Sequence, residues 1–178
     1  MSRAKTTFEG SIKDAEILLG YFDDLPRPLS DDAEVLKRAG LVMALTAWET
    51  YIEDLVLEEV TARIRVVNGS HIGKFVMRRL EEELRRLHNP TSEKVRKIFN
   101  DFLEVDVTAK WEWQGYDAPK ARKTLDELLS KRGDVVHRSK PSVSGVPAPH
   151  VVKRDDLDKY IRFLKGLVAA TDKVLIEE

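Results

Sequence analysis

Apolar residues recur every three or four positions along most of this chain, and the few interruptions mark the ends of elements. Phe8, Ile12, Ala15, Leu19 and Phe22 share one face of a first amphipathic helix. Pro26 and Pro28 end it, because neither ring can continue a helical hydrogen-bond ladder. Ser30, Asp31 and Asp32 then supply an N-cap and an acidic first turn. The second helix is the longest, from about Asp32 to about Val67, with Leu41, Leu45, Trp48, Ile52, Leu55 and Val56 on a broad apolar face. Roughly 35 residues at 1.5 Å each make a rod of about 50 Å, long enough to bend or break. Asn68-Gly69-Ser70 ends it, Gly69 being suited to a left-handed stop.

A third helix carries Ile72, Val76, Leu80, Leu84 and Leu87 as its stripe. Its other face sets Arg78, Arg79, Arg85 and Arg86 against Glu81, Glu82 and Glu83. That pattern reads as a solvated face with intrahelical ion pairs in preference to an RNA-facing surface. His88-Asn89-Pro90-Thr91-Ser92 is a stop followed by a cap, and a short helix with Val95, Ile98, Phe99 and Phe102 comes next. Between Glu104 and Tyr116 the periodicity is lost and Trp111, Trp113 and Tyr116 concentrate. Such aromatics more often plug a loop onto a core than stack on unpaired bases, and the plug is the preferred reading.

Asp117 caps a fifth helix that tolerates Pro119 in its first turn. Ala121, Leu125 and Leu128 form its stripe, and Arg132 extends that stripe by one helical step. Lys131 and Arg132 before Gly133 read as a helix C-terminus, so the helical pattern is expected to break at Gly133. Lys140 to Val151 reads as an exposed loop. The last helix carries Leu157, Ile161, Leu164, Val168, Thr171 and Leu175. No stretch reads as a strand. The expected fold is all-α, a helical bundle in one domain over residues 1–178, with a long second helix and a C-terminal helix after Arg132 and His137.

Composition narrows the function classes. The chain has 178 residues, 34% of them charged, with a net charge of -1. A balanced chain does not bind polyanions in bulk, so any nucleic-acid contact must come from a local patch. Cysteine is absent, which removes disulfides, thiolate zinc sites and a cysteine nucleophile and fits a reducing cytoplasm. No signal-peptide pattern and no apolar run of about 18 residues is visible, so the expectation is a cytoplasmic protein without a membrane partner.

The stretch LDELLSKRGDVVHRS, Leu125 to Ser139, concentrates candidate chemistry. Arg132 and His137 are the pair that metal-free phosphodiester cleavage needs: arginine offers phosphate a planar fork of donors, and histidine titrates near neutral pH. The spacing alone discriminates poorly. With four His and 15 Arg in the chain, an Arg followed by His after four to six residues arises roughly once by chance. Arg65 and His71 also match, but they span a helix stop and continue no apolar stripe, so they read as a decoy. Glu49 adds weight to the other match. It lies on the apolar face between Leu45, Ile52 and Val56, and if buried there its carboxylate needs a cationic partner such as Arg132; the alternative is a solvated edge position.

Other constellations are missing. The chain has no pair of Glu-x-x-His motifs for a di-iron bundle, no P-loop, no Gly-x-Gly-x-x-Gly and no Gly-x-Ser-x-Gly. Its basic runs are interleaved with acids, unlike a DNA-recognition helix. Neither a metal nor a cofactor is expected.

Three groups of residues together resemble the HEPN superfamily of small all-helical domains: Ala47-Trp48-Glu49-Thr50-Tyr51, Asn89-Pro90, and Leu125-x-x-Leu128-x-x-x-Arg132-x-x-x-x-His137. Their order spans nearly the whole chain. The likeness is closest to a bacterial branch of stand-alone ribonuclease-like proteins, the RiboL-PSP type and a second one like it. The resemblance implies a metal-independent endoribonuclease that leaves 2′,3′-cyclic phosphate and 5′-hydroxyl ends. It further implies a homodimer that brings both Arg-His motifs into one cleft, and a role as a toxin or in phage defence, with an antitoxin or other regulatory protein as a further partner. Arg132 and His137 would be catalytic, with Asp134 and Glu49 in support. Family members commonly carry Asn, Asp or His directly after the arginine, where this chain has Gly133 and places Asp134 one residue later. That departure favours the alternative, a non-catalytic helical interaction or regulatory module. Ser139 stands where some toxin members carry a modified Tyr, so that regulation is not expected.

Overall fold

In the computed structural model, described for residues 1–30, 33–137 and 152–176 and for the backbone alone at Val136, His137 and Ile176, the apolar stripes become six α-helices. They are α1 (Arg3–Asp23), α2 (Ala33–Arg63), α3 (His71–Leu84), α4 (Ser92–Leu103), α5 (Ala118–His137) and α6 (Arg154–Ile176). The expected all-α class holds. Among the described residues the one β feature is an isolated bridge between Trp113 and Tyr116.

The first two helices and the last form the frame. Glu58, near the end of α2, accepts the backbone N–H groups of Arg3 and Ala4, while Lys37, near its start, lies over the Phe22 ring at the end of α1. The two helices are therefore antiparallel. Asp172, near the end of α6, takes the Ser2 N–H and hydroxyl, and Arg154, at its start, pairs with Asp23 at 2.7 Å. So α6 also runs antiparallel to α1. Glu58 and Asp172 thereby satisfy N–H groups that the start of α1 leaves without intrahelical partners.

Large side chains fill the space between helices. Phe8, Trp48, Tyr51, Phe99 and Trp111 are almost wholly buried, and the Trp48 ring stands edge-on to Trp111 at 6.2 Å. Buried aromatics with polar tips need acceptors, and each has one. Trp48 Nε1 donates to the Pro90 carbonyl at 3.1 Å, Trp111 Nε1 to Thr171 Oγ1 at 3.0 Å, and Tyr51 Oη to the Val168 carbonyl at 3.3 Å. The aromatic stretch after α4 is thus a plug on the core. Trp113 stacks on Tyr116 at 4.7 Å, and both rings lie against Phe163 of α6.

Three expectations need correction. The long helix stops at Arg63 and tightens into a 3-10 turn over Arg65–Val67, closing with Gly69 at φ 88. Consecutive β-branched residues, Val66 and Val67, are poor continuations of a helix, and the tighter turn still satisfies backbone groups at its end. The turn packs closely on α3: a Cβ at Gly73 would stand 2.4 Å from the Val67 carbonyl oxygen. The second correction is the α3 stripe. Leu80 and Leu87 are buried, but Ile72 is 69% exposed, because α3 touches the bundle mainly through α2.

The third correction concerns Gly133. Helix α5 does not end there but continues to His137. Glycine costs a helix interior only about 1 kcal/mol. Burial of Val135 in the next turn offsets that loss. Asp31, Asp32 and the loop expected over residues 140–151 lie outside the described residues, apart from what Ser30 shows: its carbonyl accepts the Ala33 N–H at 3.0 Å.

Candidate active site

The middle of α2 carries a carboxylate in the apolar stripe, and the structure supplies its partners. Glu49 Oε2 lies 2.7 Å from Nη1 of Arg132, the residue that extends the buried Ala121–Leu125–Leu128 stripe of α5. The two side chains are only 16% and 21% exposed. In that setting the ion pair acts at reduced dielectric, so each charge would be costly without the other. Of the two readings of Glu49 open from the sequence, a cationic partner such as Arg132 or a solvated edge position, the contact matches the first.

The other carboxylate oxygen reaches a loop. Glu49 Oε1 accepts the Asn89 backbone N–H at 3.0 Å, and His88 Nδ1 lies 4.0 Å from the same oxygen. Asn89 sits at φ 56, a left-handed conformation that asparagine tolerates better than most residues. Three more ties hold this loop. Trp48 donates to the Pro90 carbonyl, and Asp126 of α5 accepts the Ser92 N–H at 2.8 Å and the Ser92 hydroxyl at 2.6 Å. Lys94 of α4 donates to the His88 carbonyl. The segment from His88 to Ser92 is therefore clamped between α2 and α5, with Arg132 beside it.

Electrostatics follow from this crowding. Glu53 lies one turn after Glu49 and is half-buried. Its burial raises the carboxyl above the ordinary glutamate range, the charges of Glu49 and Asp54 add to the rise, and His88 opposes it. Among the described residues no three His, Asp or Glu side chains come together as a metal-ligand set.

The sequence-predicted residues fare differently. Arg132 and Glu49 meet. Asp134 is half-buried on α5 two residues past Arg132, about 160° around the helix from it. His137 is the last residue of α5, with a backbone about 7.5 Å along the helix from Arg132; its ring lies outside the described atoms. Arg65 and His71 are exposed on either side of the turn beyond α2 and are not part of this site. Sequence reasoning did not single out His88, Glu53 or Asp126. For Glu53 the available signal was its position one turn from Glu49. For His88 and Asp126 the signal is tertiary, since nothing local pairs the start of α4 with α5.

The chain matches the sequence profile of the RiboL-PSP-HEPN family over residues 8–177. It belongs to that family. No curated protein and no solved structure matched the chain. In this RiboL-PSP-HEPN chain the match runs from α1 to the end of α6, so it includes every element that positions Glu49, Arg132 and the His88–Ser92 loop. Membership points to an RNA-related, nuclease-like role and to contact with RNA. No described helix is long and apolar enough to cross a membrane.

Proposed function

We propose that this HEPN protein is a metal-independent endoribonuclease acting as a homodimer, with Arg132 and His137 catalytic and with Glu49 and Asp134 in support. The observation that carries the proposal is the 2.7 Å pair between Glu49 and Arg132. It ties the motif arginine into the bundle through one guanidinium nitrogen, and arginine has five N–H donors, so others remain to hold a phosphate. The motif histidine, His137, ends the same helix five residues on.

The chemistry requires two proton transfers. A base removes the proton of the RNA 2′-hydroxyl, and the 2′ oxygen attacks phosphorus. The bond from phosphorus to the 5′ oxygen breaks, and an acid protonates that oxygen. The products are a 2′,3′-cyclic phosphate and a 5′-hydroxyl. Arg132 stabilises the charge that grows on the non-bridging oxygens. A two-fold dimer with the motif near its axis brings together two His137 and two Arg132, because an isologous interface repeats each residue. The cellular setting that fits is a cytoplasmic toxin or phage-defence effector, held in check by an antitoxin or other regulatory protein.

The test is incubation of purified protein with RNA in EDTA. Cleavage persists in EDTA and disappears in His137→Ala; loss in EDTA, or full activity of the variant, refutes the mechanism. A second reading has one observation in its favour. Val66, Ile72 and Phe75 are exposed together around the start of α3, as a non-catalytic interaction module would have them. Expression separates the two readings. Growth arrest by the wild type that is relieved by Arg132→Ala favours the enzyme, and no arrest together with no cleavage favours the module.

A further inference from the structure

The loop residue next to the Glu49–Arg132 pair is itself an imidazole. His88 Nδ1 lies 4.0 Å from Glu49 Oε1, within ion-pair reach, while the His88 side chain is 83% exposed. That combination sets it apart from a histidine on a loose surface loop, because the peptide group that follows it is held at both its oxygen and its nitrogen. Lys94 donates to the His88 carbonyl, and Glu49 takes the N–H of the next residue, Asn89, at 3.0 Å. With Nδ1 turned to a carboxylate, Nε2 is the nitrogen left for a ligand. One carboxylate thus stands between the phosphate-binding candidate Arg132 and an exposed imidazole.

We propose that His88 is a second imidazole of this site and delivers the proton to the departing 5′ oxygen, while His137 removes the 2′ proton. The inference rests on the ribonuclease reading and changes one role within it: the acid comes from His88 and not from a second copy of His137. The balance is simple. Imidazolium His88 gives its Nε2 proton to the 5′ oxygen as the bond to phosphorus breaks, and the neutral ring keeps its Nδ1 proton towards Glu49. Four groups from three helices bear on the ring. Glu49 of α2 lies 4.0 Å from Nδ1 with Glu53 one turn further along the same helix, Lys94 of α4 reaches the His88 carbonyl, and Arg132 of α5 holds the other oxygen of Glu49.

A leaving-group experiment tests the assignment. A cleavage site is first mapped on bulk cellular RNA and then placed in a synthetic oligonucleotide, once with the natural 5′ oxygen and once with a bridging 5′ sulfur. The sulfur departs as a thiolate and needs no proton. His88→Ala and His88→Gln are expected to cut the oxygen substrate about 100-fold more slowly than wild type and the sulfur substrate at nearly the wild-type rate. His137→Ala is expected to remain slow on both. The alkaline limb of the rate–pH curve, which reports loss of the acid proton, is expected to disappear in both His88 variants. Because the ring is exposed, both should melt like wild type, and a matching melting curve guards against misfolding. Unchanged cleavage of the oxygen substrate, or an equal loss on both substrates, overturns the role of His88 while leaving the ribonuclease reading intact. Wild-type protein that cleaves no RNA, or full activity in Arg132→Ala and His137→Ala, defeats that reading and the acid assignment with it.

Discussion

Glu49 and Arg132, 83 residues apart in the chain, meet at 2.7 Å in the middle of the bundle. The same carboxylate holds the Asn89 N–H at 3.0 Å, so one side chain on α2 links the motif helix to the loop before α4. Neither charge could sit in an apolar stripe alone. A carboxylate there would be desolvated without return, and an arginine at the next step of a core stripe would be equally stranded. The pair is therefore both a packing solution and the device that fixes where the guanidinium points.

Removing that device should show in two measurements. Glu49→Ala leaves Arg132 and the Asn89 N–H without their acceptor, an expected loss of about 1–3 kcal/mol in denaturant titration. The larger penalty of a fully buried pair does not apply, since both side chains keep some exposure. Glu49→Gln keeps an acceptor and should lose less. RNA cleavage should fall in both, by about 100-fold, because a guanidinium displaced by an ångström no longer meets the phosphate.

Gly133 gives an outcome of opposite sign. It lies inside α5, and a Cβ built there meets nothing within 4 Å. Gly133→Ala should therefore raise stability by about 0.5–1 kcal/mol, through helix propensity and a less flexible unfolded chain. A higher denaturation midpoint with RNA cleavage retained is the expected result. A loss of cleavage without loss of stability would assign Gly133 a role in the site itself.

Gly166 should respond in the other direction. A Cβ there would stand 2.5 Å from Trp113 Nε1, and Trp113 is stacked on Tyr116 with both rings against Phe163. Gly166→Ala should cost about 1–3 kcal/mol and shift the tryptophan emission as the plug is displaced. An unchanged melting temperature would contradict the packing described for this corner.

Glu53 makes stability depend on pH. Burial, with Glu49 and Asp54 adding to it, raises its folded-state value above the unfolded one, so the folded state holds this proton more readily. A carboxylate shifted upwards costs stability once ionised, above its folded value, and the cost vanishes as pH falls below the unfolded value of about 4.3. Glu53→Gln should thus melt slightly higher than wild type at pH 7, by a few tenths of a kcal/mol after solvent screening. The difference should close as pH is lowered past that range. A Glu53→Gln variant less stable at neutral pH would reverse the sign and count against the shift.

Much of the scaffold is legible from local pattern. The stripes on α1, α4 and α6 are buried as spaced, apart from Phe102 and Leu175, which are half-buried, and Pro26 and Asp117 mark boundaries where they should. Failures occur where burial depends on a neighbour. Ile72 has the spacing of a core residue, but no described helix covers it and it faces solvent. Gly133 has the chemistry of a stop, yet Val135 beyond it finds the core and carries the helix on.

The site divides along the same line. By itself the sequence determined that Arg132 sits on a core stripe, that Glu49 on an apolar face needs a cation if buried, and that the chain is a set of amphipathic helices in a given order. Those properties are local, because 3.6-residue periodicity and desolvation cost are written into each segment. Only the tertiary structure decided that the cation for Glu49 is Arg132, that its second oxygen holds Asn89, and that Asp126 and Trp48 seat the same loop. Partners drawn from α2, α5 and the loop before α4 meet because the helices pack in one particular arrangement, and no spacing within a single segment carries that information.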